Sequence, residues 1–277
     1  MNSFIFQTKT VTGANKRKAI NTEDNEKLYY LKPNFCSFAI RVGKVRNFWK
    51  GQGWDVNVMY SKAGVATQIL ISSAEGDVLV DAGDGTLRDL LKLDYDFERL
   101  KAIAITHGHF DHVGGLWTLL GFLRMIGRTN DLFLIAPASC SEIKNLVKSF
   151  ITVYNDTMPF KIILKELSNE EKFNVGRIEV QAFSVVHRGA IKIFGIGKRI
   201  PALGYSISYR NQRIVISGDT GVCHSLKKFT KGADLAILEA TTNKKIPKDS
   251  EVHLSIKEAT EIGSTAKKFI LIHSASS

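Results

Sequence analysis

Four residues of metal-ligating type fall within six consecutive positions of the 277-residue chain: His107, His109, Asp111 and His112. They follow the apolar run KAIAI, which predicts a buried strand that ends in a tight turn and leads into a helix. Imidazole nitrogens and carboxylate oxygens suit zinc and related divalent ions, and four such ligands can serve two ions. Solvated loop histidines are the alternative, but the close spacing of three histidines and an aspartate favours a metal site.

Hydrophobic periodicity predicts the elements that must position this cluster. The runs FCSFAIRV, VATQILISS and DVLVDAG alternate or are β-branched, and Gly, Ser and Asp-Gly interrupt them, which is typical of antiparallel strands. Helices are predicted at GDGTLRDLLKL, residues 116–126, SCSEIKNLVKSFITVYND and residues 255–267; further strands are predicted at DLFLIAP, FKIILKEL, RIEVQAFSVV, ALGYSISYR, QRIVISGD, LAILEAT and FILIH. Dominant strands with interspersed helices favour an α/β (α+β) fold of two face-to-face sheets with helices outside.

Composition excludes several classes of protein. A hydrophobic content of 44%, a charged content of 23% and only 5 prolines exclude a disordered or low-complexity chain. We expect neither a membrane span nor a secretory signal, because no long apolar run and no apolar leader are visible. Three scattered cysteines fit a reducing cytoplasm, and a net charge of +11 suits an anionic partner.

The HxHxDH pattern resembles the metal-binding motif of the metallo-β-lactamase superfamily. Four residues outside this pattern are similar to that family's other motifs and occur in the same order. They are Asp81 in VLVDAGDGT, His187 in FSVVHRG, Asp219 in VISGDTG and His273 in FILIHSAS. The resemblance implies a four-layer αββα sandwich with the metals at one edge of the two sheets. It covers residues 35–277, so we expect one metallo-β-lactamase-like domain there, preceded by a polar N-terminal arm or edge hairpin at residues 1–34.

The resemblance also implies a ligand set for two metals. It assigns His107, His109 and His187 to one ion, Asp111, His112 and His273 to the other, Asp219 to a position between them, and Asp81 to structural support of the metal loop. Because Asp111 and His112 are both present, two metals are favoured over the single iron of the family's dioxygenase branch. Zinc is the expected ion, with manganese or iron as alternatives. Taken singly, His187 and His273 fit packed strand histidines, and Asp219 fits a turn.

The C-terminal half resembles the ribonuclease Z and phosphodiesterase branch. In that branch a Glu in an xEAT segment pairs with a His in an Hx[ST] segment, and the matching residues here are Glu239 and His253. A carboxylate fixes the tautomer of an imidazole, which can then protonate a leaving oxygen. The alternative is that Glu239 only ends a strand and His253 caps the last helix.

Two features depart from the tRNA-processing enzymes of that branch. Position 238 is Leu, where those enzymes usually carry His. They also often carry a long exosite arm after the third-motif histidine, whereas Arg188–Leu203 leaves room only for a short hairpin before Gly204. Both departures argue against efficient tRNA processing.

Charge placement favours a phosphate-rich substrate. Residues 188–232 hold nine Lys or Arg and one carboxylate, Asp219. Lys198 and Arg199 within this stretch are candidate substrate-binding residues, with a solvated basic surface as the alternative.

We therefore expect a hydrolase, an endonuclease or other phosphodiesterase of ribonuclease Z type that acts through a dinuclear metal-bound hydroxide. Asp111 would take the proton of the nucleophile, and His253, oriented by Glu239, would protonate the leaving oxygen. The alternatives are an arylsulfatase-like or cyclic-nucleotide esterase on the same site, or a non-catalytic nucleic-acid-binding protein that contains metal. We also expect a cytoplasmic homodimer with no membrane partner.

Overall fold

The protein is described by a computed structural model at residues 37–39, 47–191, 195–243 and 252–274. The expected arm or hairpin at residues 1–34 lies outside the described residues. The domain boundary at residue 35 therefore stays a prediction.

The strands and helices follow the chain in this order. The strands are β1 (Ser37–Ala39), β2 (Asn47–Lys50), β3 (Trp54–Lys62), β4 (Ala66–Ser73), β5 (Gly76–Val80), β6 (Leu100–Ala104), β7 (Leu132–Pro137), β8 (Ile162–Leu167), β9 (Lys172–Val175), β10 (Ile178–Ser184), β11 (Arg188–Ile191), β12 (Gly195–Arg199), β13 (Leu203–Tyr209), β14 (Gln212–Ile216), β15 (Leu235–Glu239) and β16 (Phe269–Ile272). The helices are α1 (Thr86–Lys92), α2 (Phe110–Val113), α3 (Leu116–Met125), α4 (Ser141–Tyr154), α5 (His224–Thr230) and α6 (Ile256–Gly263).

Within the described residues the strands form two seven-stranded sheets and one separate hairpin. The first sheet has the order β2-β3-β4-β5-β6-β7-β8, and the second has the order β1-β16-β15-β14-β13-β10-β9. Strands β11 and β12 pair with each other as an antiparallel hairpin. Each sheet is mixed: β5 to β8 run parallel, as do β14, β15, β16 and β1.

Apolar side chains divide the molecule into four layers. Between the sheets, Val56 and Ile71 of the first sheet pack in one cluster with Ile207 of the second. On the outer face of the first sheet the core is shared with α1, α3 and α4, and on the outer face of the second it is shared with α5 and α6. Each sheet thus buries both faces, as the expected αββα sandwich requires, and that prediction is confirmed.

Three local features differ from the sequence-based expectation. Strand β1, within a run expected to be antiparallel, pairs in parallel with β16, a partner from the far end of the chain that no local pattern specifies. The final helix ends at Gly263 rather than near residue 267. Just after Gly263, the hydroxyls of Ser264 and Thr265 donate to backbone carbonyls of the last turn and so compete with the hydrogen bonds that would extend the helix. Strands β2, β3 and β9 and helix α5 were not among the expected elements.

No helix in the described parts of the chain is long and apolar enough to span a membrane.

Candidate metal centre

The polar site lies at one edge of the sandwich because several strands end there. In the second sheet β14, β15 and β16 are parallel. Strand β10 runs in the same direction, because β10 and β14 are both antiparallel to β13, which lies between them. Asp219, Glu239 and His273 follow or end these parallel strands. The end of β6 reaches the same place, since the amide of Leu203 donates to the carbonyl of Thr106 at 2.9 Å and joins the two sheets.

His107, His109 and His187 form the first donor group. Their facing ring nitrogens are close: Nε2 of His107 lies 3.0 Å from Nδ1 of His109, and Nε2 of His187 lies 3.2 Å from the same atom. Burial lowers the pKa of His187 from 6.5 to about 4 and that of His107 well below its ordinary value. Neutral imidazoles are the form that binds metal, so the group is suited to hold one ion.

Asp111, His112 and His273 form the second donor group. Oδ2 of Asp111 lies 3.3 Å from Nε2 of His273 and 3.9 Å from Nε2 of His112. In each of the two groups the three ligand atoms lie within 4.8 Å of one another. This spacing is compatible with a common ion in each group.

Asp219 faces both groups. Its Oδ2 lies 3.8 Å from Nε2 of His107, and its Oδ1 lies 3.4 Å from Nε2 of His112. Burial alone would raise the pKa of Asp219, but the imidazoles of His273 and His112 hold it well below its ordinary value. A charged carboxylate with one oxygen toward each donor group has the geometry of a bridge.

The protein turns the Nε2 atoms inward by holding the Nδ1 atoms. Nδ1 of His112 lies 2.7 Å from Oδ2 of Asp81, and Nδ1 of His107 lies 3.1 Å from the hydroxyl of Thr106. The amide and the hydroxyl of Thr106 in turn donate to Asp81. Asp81 therefore orients one histidine of each donor group, directly or through Thr106, as partners of metal-ligating histidines commonly do.

Two more histidines are held in the same way. Nδ1 of His187 lies 2.7 Å from the carbonyl of Val252, which accepts its proton. Nδ1 of His273 lies 3.1 Å from the hydroxyl of Thr241. His109 is the exception, because its Nδ1 faces the first donor group and leaves Nε2 on the outer side.

These residues fit a pair of divalent ions on the chemistry of the donors. Nε2 of His112 is buried and makes no hydrogen bond, although Asp219 lies nearby, so this atom lacks a partner that a metal would supply. Six nitrogen or oxygen donors surround one shared carboxylate, which matches the ligand preferences of zinc and related ions.

Glu239 and His253 adjoin the donor groups. Nδ1 of His253 lies 3.0 Å from Oε1 of Glu239 and 3.8 Å from Oδ2 of Asp219. Burial lowers the pKa of His253, but the hydrogen bond and charge of Glu239 outweigh it and raise the pKa to about 9. The idea that His253 caps the last helix is wrong, because Ser255 is the N-cap and forms a capping box with Glu258.

Backbone conformation marks the same edge. Asp81 and His273 both have left-handed φ angles, 60° and 59°, a conformation that is uncommon outside glycine. Gly218 has φ 59°, and a Cβ there would lie 2.8 Å from Cβ of Thr106. Glycine at 218 therefore allows the turn after β14 to approach the metal-binding loop and deliver Asp219.

Three contacts at the site had no sequence signal of their own. The amide of Gly64, in the turn between β3 and β4, donates to Oδ2 of Asp111 at 2.8 Å. The hydroxyl of Ser61 accepts from the amide of His273 at 3.0 Å. Thr241 bonds to both Glu239 and His273. Only Thr106, which adjoins the HxHxDH pattern, was within reach of sequence reasoning.

The expected short arm is the hairpin of β11 and β12. It begins beside the first donor group, since a Cβ added at Gly189 would lie 3.8 Å from Nε2 of His109. Lys198 and Arg199 are exposed at the end of β12, and Arg199 is opposite Arg188 in the register. The two candidate substrate-binding residues thus share a small basic hairpin with the edge of the site, but lie outside both donor groups.

The chain is similar in sequence and in fold to known proteins. The model of the beta-lactamase superfamily domain matches residues 77–274. The ribonuclease Z of Ignicoccus hospitalis is 25% identical over 237 residues, which cover 70% of this chain and 77% of that protein.

Two solved structures show the same fold. The short form of human tRNase Z has a TM-score of 0.66 at 23% identity, covering 79% of this chain and 92% of that chain. The metallo-beta-lactamase fold protein YhfI from Bacillus subtilis has a TM-score of 0.63 at 19% identity, covering 81% of this chain and 87% of that chain.

Proposed function

The chain belongs to the beta-lactamase superfamily, and on that premise we propose that it is a metal-dependent phosphodiesterase of ribonuclease Z type. The observation that carries the proposal is the Glu239–His253 pair, which is hydrogen-bonded at 3.0 Å and lies 3.8 Å from the shared carboxylate of Asp219. A two-metal site alone suits many hydrolases. A protonated imidazole beside it suits a reaction in which a poor leaving oxygen must be protonated.

The chain supplies a separate set of ligands for each of two ions. His107, His109 and His187 would hold one; Asp111, His112 and His273 would hold the other; Asp219 would touch both. When bound, two divalent ions lower the pKa of a coordinated water and neutralise charge on the phosphoryl oxygens. Zinc is the ion we favour from the nitrogen-rich donors, with manganese or iron as alternatives.

Asp111 would accept the proton of the attacking water. In the metal-free protein its carboxylate is ionised at neutral pH, since the hydrogen bond from His273 and the charge of His112 outweigh burial and lower its pKa. Its Oδ2 also accepts the Gly64 amide at 2.8 Å, which holds that oxygen in one orientation. The residue is therefore fixed in position before a substrate arrives.

His253 would donate the proton to the leaving oxygen. Glu239 occupies its Nδ1, which leaves Nε2 for the substrate, and in the metal-free protein the hydrogen bond and charge of Glu239 raise the pKa of His253 to about 9. Its side chain is 23% exposed, whereas those of His107 and His112 are almost fully buried, so a substrate can reach His253 directly.

RNA is the polymer we infer as substrate, because the similar proteins named ribonuclease Z act on RNA and the hairpin beside the site is basic. The shortness of that hairpin favours one alternative: a small phosphodiester such as a cyclic nucleotide would need no long arm. An arylsulfatase-like esterase and a metal-containing nucleic-acid-binding protein without turnover remain as further alternatives. A cytoplasmic location and a homodimer stay predictions.

The decisive experiment is hydrolysis of bis(p-nitrophenyl) phosphate by metal-free protein reconstituted with Zn²⁺, Mn²⁺ or Fe²⁺. We expect turnover that depends on added metal and is abolished in His107→Ala and His109→Ala, whose metal content should fall while the fold is kept. His224→Ala, which alters an exposed histidine on α5, is the matched control. Metal binding without hydrolysis would refute the proposed phosphodiesterase activity. Full activity of His107→Ala with unchanged metal content would refute the proposed ligand set.

A second assay separates the substrates. Cleavage of a precursor RNA that is faster than hydrolysis of a cyclic nucleotide supports the ribonuclease Z type. The opposite order supports the small-substrate alternative.

A further inference from the structure

Phe110 stands out among the aromatic side chains. Of the Phe, Tyr and Trp side chains that the structure describes, Phe110 alone is exposed, with 65% of its surface accessible. It lies between His109 and Asp111, one residue from each proposed metal-binding group. Single exposed apolar side chains are common on protein surfaces, but the position of this one places an aromatic ring beside the proposed metal ligands.

The fold does not use this ring as part of the core. Val113, at the other end of α2, is buried in the outer core of the first sheet, but Phe110 belongs to none of the apolar clusters. No aromatic partner stacks on it among the described residues. A phenyl ring that stands in water next to a reaction centre is free to meet a substrate.

Segments that contact the two neighbours of Phe110, Asp111 and His109, carry an apolar and a basic side chain. Val65 is 40% exposed and follows Gly64, whose amide binds Asp111. On the other side of His109 the backbone of Gly189 begins the hairpin that carries the exposed Lys198. A phosphodiester bound at the donor groups would therefore have a ring and an aliphatic group near one side and a cation near the other.

We propose that Phe110 stacks on the base of the nucleotide that retains the phosphate, and so selects phosphodiesters of nucleosides over those without a base. This inference rests on the proposed function. His253 would protonate the leaving oxygen in that reaction, and we assign Phe110 to the other product, the nucleotide that retains the phosphate at the donor groups. Stacking on a phenyl face tolerates any base, because every base has a π face, and Lys198 would add a contact to a neighbouring phosphate.

Binding of two products that differ only in the base tests the proposal. Thymidine 5′-monophosphate and deoxyribose 5-phosphate are titrated calorimetrically into the zinc-loaded protein. In the wild type the nucleotide should bind more tightly, and Phe110→Ala should reduce the ratio of the two affinities by about 5- to 150-fold, the usual effect of losing one base stack. Phe110→Trp should keep the ratio, and Phe110→Leu should lose it.

Met125→Ala is the matched control. Met125 is 78% exposed at the far end of α3, roughly 14 Å along the helix from Leu116. The control should keep the wild-type ratio. An unchanged ratio in Phe110→Ala, or a ratio kept by Phe110→Leu, would overturn the proposal, since the contact would then be absent or merely apolar. If Phe110→Ala loses zinc, the affinity ratios of Phe110→Leu and Phe110→Trp still test whether the contact requires an aromatic ring.

A kinetic comparison separates this inference from the proposed function. Thymidine 5′-(p-nitrophenyl) phosphate and methyl p-nitrophenyl phosphate share a leaving group and differ in the base. Phe110→Ala should lower the ratio of their kcat/KM values as it lowers the ratio of affinities. If the wild type hydrolyses neither ester, the proposed function fails, whereas the calorimetric ratio still tests Phe110.

Discussion

Replacing Asp81 with Asn should weaken the second metal position more than the first. Asp81 accepts hydrogen bonds from the amide of Thr106 at 2.8 Å and faces Nδ1 of His112 at 2.7 Å. An amide offers one accepting oxygen and one donating nitrogen. It therefore cannot accept from both groups at once.

Each orientation of the new amide has a cost. If its oxygen stays on Thr106, its NH₂ donates to Nδ1 of His112, which moves the ring proton to Nε2 and blocks the atom that faces Asp219. If it flips, the buried amide of Thr106 loses its acceptor, which costs about 1–3 kcal/mol. Loss of an orienting partner commonly weakens metal binding about 10- to 100-fold, or about 1.4–2.7 kcal/mol. Asn tolerates the left-handed φ of 60° at this position, so the backbone is kept.

Competition with a chromophoric chelator measures the two zinc affinities. We expect one affinity near the wild-type value and one lowered by the stated factor. Asp77→Asn is the control: Asp77 is equally buried on β5 but pairs with Arg99 at 2.8 Å, so its loss should lower stability without changing either zinc affinity. Two affinities within about 3-fold of wild type in Asp81→Asn would refute the tautomer argument.

Three further predictions concern other parts of the site. His253→Ala should reduce kcat by about 10²–10⁴-fold on esters with alkoxide-like leaving groups and much less on nitrophenyl esters, at wild-type metal content; equal losses on both would contradict the acid role. Joint Lys198→Glu and Arg199→Glu changes should weaken RNA binding and lower its salt slope by about one per lost phosphate contact, with a smaller loss on an aryl phosphodiester; equal losses would contradict an exosite. In metal-free protein, the depressed pKa of His187, about 4 against 6.5, means that the unfolded state binds the proton first as pH falls. Wild type should therefore lose about 2 kcal/mol more unfolding free energy than His187→Gln between about pH 7 and about pH 5 in urea titrations, and parallel pH profiles would contradict this.

Local sequence was sufficient for most of the elements and for most of the candidate donors. The apolar run before His107 and the helix at α3 lie where periodicity predicts them, because both follow from which residues avoid water over a short stretch. The HxHxDH spacing places four donors in one loop and the short helix α2 that follows it, without any long-range contact. The two-sheet sandwich also follows from the pattern, since sheets that are apolar on both faces require layers on both sides.

Long-range packing decided the features that have no local signal. Strand β1 pairs in parallel with β16, which comes from the opposite end of the chain. The Gly64 amide reaches Asp111 only through the β3–β4 turn, and the order of strands brings that turn to the same edge. A sequence pattern specifies neither partner, because both depend on how distant segments meet.

The same division holds within the site itself. Sequence identifies His107, His112, His187 and His273 as candidate ligands, but the two nitrogens of each ring are chemically alike until a partner takes one of them. Tertiary structure supplies those partners from other segments, as Val252 does for His187 across the sandwich edge. It also leaves Phe110 in water while Val113 on the same short helix is buried. Residue types are local, whereas which atom faces a ligand, and which ring stays exposed, depends on the groups that folding brings alongside.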